Sequence, residues 1–364
     1  MIVIGADTHK QTHTCGAVFA ASGQLAGELT AAARESGFCE LLAWGRALDS
    51  ERIWAIEDCR HVSGSLERFL VASGERVLRV PPKLMGESRR GERTAGKSDA
   101  IDALAIARAA LREGPESLPA AHLDEDALEL KLLLDHREDL VKARSEDQQR
   151  LRWHLHDLWP ELELPAGCLD RALWTERVAR KLARAEQGTR VKIARELVRA
   201  IRERTRRAAE LEAEIASRVK EQAPQLLGLE GCGPLTAAKL VAETAGAARL
   251  ASDAKFARLA GVAPIPASSG KRVRYRLDRG GNRQLNCALH RIAVTQGRVH
   301  PPAQAYLARK QAEGKSRSEA LRCLKRHLAR RVWQLLIKSE VDLSMSNPVH
   351  PQRGSLAPQI AAAA

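Results

Sequence analysis

Residues 1–20 read MIVIGADTHKQTHTCGAVFA. Two short apolar runs, residues 1–7 and 14–20, flank a polar turn, which is the pattern of a β-hairpin. The first run ends on an acid, Asp7. Working outward, residues 51–56 form a third candidate strand, followed at once by Glu57. Residues 76–80 form a fourth, stopped by Pro81 and Pro82. Helical patterns lie between them, around 38–48 and 63–72. In residues 97–112 the apolar Ile101, Leu104, Ala105 and Leu111 share one helical face. A strand-rich start that passes into helices makes residues 1–113 an α/β domain.

Residues 114–119 are a linker. Beyond it, 124–158 and 171–222 are rich in Ala, Leu, Glu, Arg and Lys and nearly free of Gly. They read as two long helices, interrupted at 159–167 by Pro160, Pro165 and Gly167. Helices of that length need a partner surface, so 120–222 is expected to be an antiparallel coiled-coil hairpin or a dimer contact. From Ala223 the chain turns to short helices and Gly-rich turns, giving a mostly α segment over 223–340. The end, SMSNPVHPQRGSLAPQIAAAA, has the composition of a disordered tail, assigned to 341–364.

The formal charge is +14, from 59 Lys and Arg against 45 Asp and Glu in 364 residues. Residues 265–340 hold 18 basic and 4 acidic residues, a surplus of 14, so the other 41 basic and 41 acidic residues cancel. Charge concentrated in one stretch fits a polyanionic partner, since phosphates paired with Lys and Arg release counterions. No run of about 18 apolar residues exists, so no membrane span is expected. The chain opens directly in a strand-like run without a basic-then-apolar leader. Seven scattered cysteines, with no CxxC pair, argue against a disulfide framework or a zinc site and for a reduced, cytoplasmic protein. Aromatic residues are only 3 %, which disfavours reading splayed bases on an aromatic sheet.

Four acids stand out by position. Asp7 and Glu57 end strands, while Asp99 and Asp102 open a helix in KSDAIDA at i, i+3, on one face. Brought together they repel unless a hard divalent cation sits between them. Two such metals can activate a nucleophile and stabilise a leaving oxygen in phosphoryl transfer. A second signal is LEGCGP, residues 229–234, where Gly231 and Gly233 precede a helical run. This turn is either a phosphate-binding helix-hairpin-helix or a plain turn between packed helices. A third is APIPASSGKR, residues 263–272, in which Ser268 and Ser269 adjoin Lys271 and Arg272. Arg274, Arg276, Arg279, Asn282 and Arg283 follow closely. Either serine could attack phosphorus among cations, but from the residues alone a loop that only hydrogen-bonds phosphate is the simpler reading.

Asp7 in GADTHK, Glu57 in AIEDCR, and Asp99 with Asp102 in GKSDAIDALAIAR resemble the Asp-Glu-Asp-Asp set of the DEDD transposases. These are the recombinases of the insertion sequence 110 family, related to the Piv invertase. LEGCGPLTAAKLVAE, LAGVAPIPASSGK and RGGNRQLNCALHRIA are similar to that family's C-terminal transposase domain, and the match runs in order over residues 1–340. The resemblance implies an RNase H-like, RuvC-type N-terminal domain, a coiled-coil middle and a mostly α transposase domain. It implies Mg²⁺, one or two ions, on Asp7, Glu57, Asp99 and Asp102, and a serine nucleophile forming a covalent link to DNA. The family's serine directly precedes the loop glycine, which here is Ser269, with Ser268 as the alternative. Lys271, Arg272, Arg274, Arg276, Arg279, Asn282 and Arg283 would hold DNA backbones, together with Gly231 and Gly233. Further implied partners are donor and target duplex DNA, a structured bridge RNA as guide, and a homo-oligomer, dimer or tetramer, on the bacterial nucleoid. In place of the small residue and glycine that often follow the family's glutamate, this chain has Asp58-Cys59-Arg60. Two other readings stay open: a RuvC-like junction nuclease using water, and a non-catalytic nucleic-acid-binding scaffold.

Overall fold

The computed structural model describes residues 1–57, 60–81, 84, 98–121, 124–268, 275–276, 278 and 281–346. Its N-terminal part is a mixed five-stranded sheet of order β3-β2-β1-β4-β5. β1 (Ile2–Thr8), β2 (Thr12–Phe19) and β3 (Leu25–Ala32) form an antiparallel meander. β4 (Arg52–Glu57) and β5 (Val77–Val80) continue the sheet parallel to β1. All seven residues of β1 are buried, as a central strand covered on both faces requires.

Side-chain alternation divides the sheet. Ile2, Ile4, Ala6, Trp54 and Ile56 pack beneath α1 (Glu35–Leu48) and α2 (Arg60–Ala72). Val3, Val18, Ile53 and Ala55 pack beneath α3 (Asp99–Glu113) on the other face. Helices on both faces of a sheet with this order are consistent with an RNase H-like fold. The hairpin, the strand ending at Glu57 and the helix opening at Asp99 follow the sequence reading. β3 was not anticipated: its LAGELTAA is half-exposed, and it is held as an edge strand by pairing with β2.

Beyond α3, two helices of 34 residues, α4 (Glu125–Leu158) and α6 (Thr189–Gln222), run side by side. Arg218 meets Glu129 at 2.6 Å and Arg137 meets Glu212 at 2.7 Å, and Arg204 pairs with Asp147, so the two are antiparallel. The single long helix expected over 171–222 is instead two. α5 (Ala172–Arg184) ends at Ala185, and α6 restarts after Gly188. The break lets Val178 and Leu182 fold onto Leu151, Leu155, Val191 and Val198, a core that one straight helix could not close.

The rest is mostly helical: α7 (Pro224–Leu227), α8 (Pro234–Thr244), α9 (Asp253–Leu259), α10 (Arg283–Val299), α11 (Pro301–Ala312) and α12 (Arg317–Ser346). A two-residue ladder joins β6 (Ile265–Pro266) to β7 (Tyr275–Arg276). Leu130, Leu134, Ile215 and Val219 of the long helices share one core with these elements. α12 runs on to Ser346, past residue 340, where a tail was expected to begin. No described helix is long and apolar enough to cross a membrane.

Candidate active site

The acids converge at one end of the sheet for reasons visible in the chain. β1 and β4 are parallel, with Ala6 opposite Ile56, so Asp7 and Glu57 are the next residues on two neighbouring strands. Both continue the face that carries Val3, Ile53 and Ala55, the face covered by α3. Gly5 lets that helix come close. A Cβ there would stand 2.0 Å from the Ala103 carbonyl oxygen and 2.5 Å from the Ala107 nitrogen, both helix backbone. Ser98 caps α3, its hydroxyl accepting from the Ile101 N–H at 3.3 Å, so Asp99 and Asp102 occupy the first turn, where the helix dipole favours acids.

Asp7 and Asp102 are buried, with 7 % and 5 % of their surface exposed, while Asp99 lies open. Burial pushes the Asp7 carboxyl above its ordinary value; neighbouring Asp102 and Asp99 add to this and His9 opposes it. His9 is the residue that sequence reading passed over, although it sits in the quoted GADTHK. Its Nε2 lies 3.2 Å from Asp7 Oδ2 and 3.3 Å from Asp99 Oδ1. One donor atom from each of Asp7, His9 and Asp99 falls within a 4.8 Å cluster. Carboxylate oxygens with one imidazole form a donor set able to hold a divalent cation.

The C-terminal residues stand in different settings. Gly231 has φ +83°, and a Cβ there would meet Thr295 Cβ at 3.0 Å, so it serves the turn and its packing on α10. Gly233 has open space around it at the start of α8. Asn282 is engaged at both ends: Oδ1 caps α10 by accepting from the Gln284 N–H at 2.8 Å, and Nδ2 donates to Glu243 at 2.6 Å. Ser268, Arg276 and Arg283 are exposed. Ser269, Lys271, Arg272, Arg274 and Arg279 lie outside the described residues, as do Asp58 and Cys59.

Acids gathered at the ends of parallel strands and on a covering helix, in a sheet of this order, are the equipment of a metal-dependent nuclease or recombinase. Residues 4–160 match the transposase family of DEDD type named for IS110, and residues 223–308 match the "Transposase IS116/IS110/IS902 family". The chain belongs to the IS110/IS116 family of DEDD-type transposases, enzymes that cut DNA. It is 26 % identical to the uncharacterized 42 kDa protein of insertion element IS900 from Mycobacterium paratuberculosis, over 91 % of this chain and 94 % of that one. Identity is also 26 % to the uncharacterized 44.8 kDa protein of insertion element IS116 from Streptomyces clavuligerus, over 92 % and 94 % of the two chains. With the uncharacterized 43.6 kDa protein of insertion element IS110 from Streptomyces coelicolor it is 29 %, over 62 % of this chain and 67 % of that one.

Proposed function

We propose that the chain is a Mg²⁺-dependent, RNA-guided DNA recombinase that excises and inserts its own mobile element through a serine–DNA intermediate. The observation that carries this reading is the meeting of Asp7 with Asp99 and Asp102, beside Glu57, at one end of the sheet. Asp7, Glu57, Asp99 and Asp102 would hold Mg²⁺, with His9 able to join or to hold Asp7 and Asp99 in place. Bound there, the metal supplies charge stabilisation at the reacting phosphate.

Ser269, or its neighbour Ser268, attacks the scissile phosphorus. The Oγ–P bond forms as the P–O3′ bond breaks, leaving a 5′-phosphoserine link and a free 3′-hydroxyl that receives the displaced proton. Lys271, Arg272, Arg274, Arg276, Arg279 and Arg283 hold the backbone around that step, and Gly233 offers an unobstructed helix start. Gly231 and Asn282 act one step back, by fixing the turn and capping α10. Few aromatics suit guidance by RNA pairing, with the protein gripping backbones of donor and target duplexes.

In domain terms, 1–113 carries the metal acids, 120–222 is a coiled-coil spacer used in homo-oligomer contact, and the segment from 223, whose last helix continues past 340 to Ser346, carries the serine. The second reading, a junction nuclease using water, is favoured by the grouping of Asp7, His9 and Asp99, all from the N-terminal part. Trapping a protein–DNA adduct separates the two. An adduct in wild type that Ser269→Ala or Ser268→Ala abolishes supports the serine mechanism; no adduct in wild type, with undiminished cleavage when both serines are replaced, supports water.

A further inference from the structure

The segment 261–264, β7 and helices α11 and α12 enclose a cleft of about 500 Å³ whose lining includes none of Asp7, His9 and Asp99. At its floor lies Lys325, only 6 % exposed. Its ammonium donates to Asn286 Oδ1 at 2.8 Å, and among the described residues no carboxylate pairs with it. Asn286 is held for that purpose. Its Nδ2 donates to the carbonyls of Ala260 at 3.1 Å and Gly261 at 2.9 Å, which leaves Oδ1 turned to the lysine. Burial pushes the Lys325 ammonium below its ordinary value, and Arg322 adds to this. A buried cation whose single partner is a neutral amide is a poor way to stabilise a fold and a good way to receive an anion.

The neighbouring charges sharpen the point. Lys310 pairs with Glu313, Arg322 with Glu319, Arg326 with Asp253 and Arg258 with Asp278. Arg326 shares Asp253 with Arg330, and among the described lining residues the cations without a carboxylate partner are Lys325, Lys315 and Arg276. The lining also contains both tyrosines of the chain, Tyr275 and Tyr306, in a protein otherwise poor in aromatics. Tyr306 is engaged by His327 edge-on at 5.1 Å, whereas Tyr275 is 57 % exposed. An anion site and a free aromatic ring in a cavity of this size match one nucleotide. The wall segment 261–264 precedes β6, with which Tyr275 and Arg276 of the opposite wall pair as β7.

We propose that this cleft is a nucleotide pocket that takes one unpaired deoxynucleotide of the strand being exchanged, with its phosphate on Lys325 and its base against Tyr275. The proposal rests on the recombinase reading, because exchange of strands unpairs nucleotides beside the cut. Lys325 is thus a positioning residue for the neighbouring phosphodiester.

The test is binding in EDTA, where nothing is cut, of a fully paired duplex and of the same duplex with one bulged nucleotide. Wild type is expected to prefer the bulged probe by about tenfold, the scale of one base stacked on an aromatic ring. Lys325→Met is expected to lose that preference, keep its affinity for the paired duplex, and melt no lower than wild type. No preference in wild type overturns the pocket, as does a Lys325→Met protein that keeps the preference or weakens equally on both probes. Lys315→Ala, an exposed rim change, is expected to weaken the preference as well, and serves if Lys325→Met does not fold. Cleavage of the same two probes, built on element-end sequence, after adding Mg²⁺ and the guide RNA reads the recombinase assignment separately. Preference without cutting keeps the pocket and sinks that assignment; cutting without preference does the reverse.

Discussion

Gly5 decides whether the acids meet. A methyl group at that position runs into the backbone of α3, which cannot rotate away as a side chain can. Gly5→Ala is therefore expected to cost about 2–3 kcal/mol, the scale of overpacking. It should also part Asp102 from Asp7, so melting temperature and DNA cleavage fall together; a variant normal in both would show that the close approach is dispensable. Asp102 behaves differently, because its charge opposes that of Asp7 when no cation is present. Asp102→Asn is expected to melt at or above wild type in EDTA, to lose the Mg²⁺-induced rise in melting temperature, and to cut DNA on the order of 100-fold more slowly. A thermal-shift series with and without Mg²⁺ checks this. A wild type indifferent to Mg²⁺ would show that the acids do not act as a cation site.

The N-terminus of α3 holds two of the four acids, so its cap governs the site at the scale of an element. Ser98→Ala is expected to cost about 1 kcal/mol through loss of the hydroxyl's bond to Ile101 N–H, and to weaken Mg²⁺ affinity as the first turn frays. Unchanged Mg²⁺ affinity would separate the cap from the site. This part of the fold was legible because its signals are local: β1 and β4 are continuous apolar runs ending in acids, and α3 has a regular apolar face. What escaped reading depends on tertiary partners. β3 is an edge strand whose residues have weak strand preference, and only pairing with β2 defines it. The break between α5 and α6 is set by the core that α5 closes against α4, which no charge or helix pattern reports. His9 carried no periodic signal, since its meaning comes from Asp99 arriving 90 positions later in sequence. Resemblance alone marks the serine loop as a nucleophile; its residues by themselves favour a phosphate-binding turn.

Across the whole molecule, charge is more structured than a single basic stretch on a neutral remainder. Residues 171–207, at the α5 end of the long helical pair, hold 13 basic and 4 acidic residues, and several of these cations pair with acids, Arg204 with Asp147 and Arg190 with Asp157 among them. Arg195 and Arg199, which form no ion pair among the described residues, line a groove between α5 and α6. Reversing both to Glu is expected to lower duplex affinity and to make the slope of log affinity against log salt shallower by roughly 2 units, about 0.9 per lost phosphate contact. An unchanged slope would mean that this end of the molecule does not touch nucleic acid. In the proposed reaction an N-terminal metal site and a C-terminal serine act together, and each half alone should be inert. The most direct measurement is the yield of covalent protein–DNA adduct on element-end DNA with the guide RNA, comparing wild type, Asp102→Asn and Ser269→Ala, with Mg²⁺ and with EDTA. A Mg²⁺-dependent adduct in wild type and none in either variant is the predicted result. An adduct that survives Ser269→Ala and Ser268→Ala together, or one that forms equally well in EDTA, would contradict it.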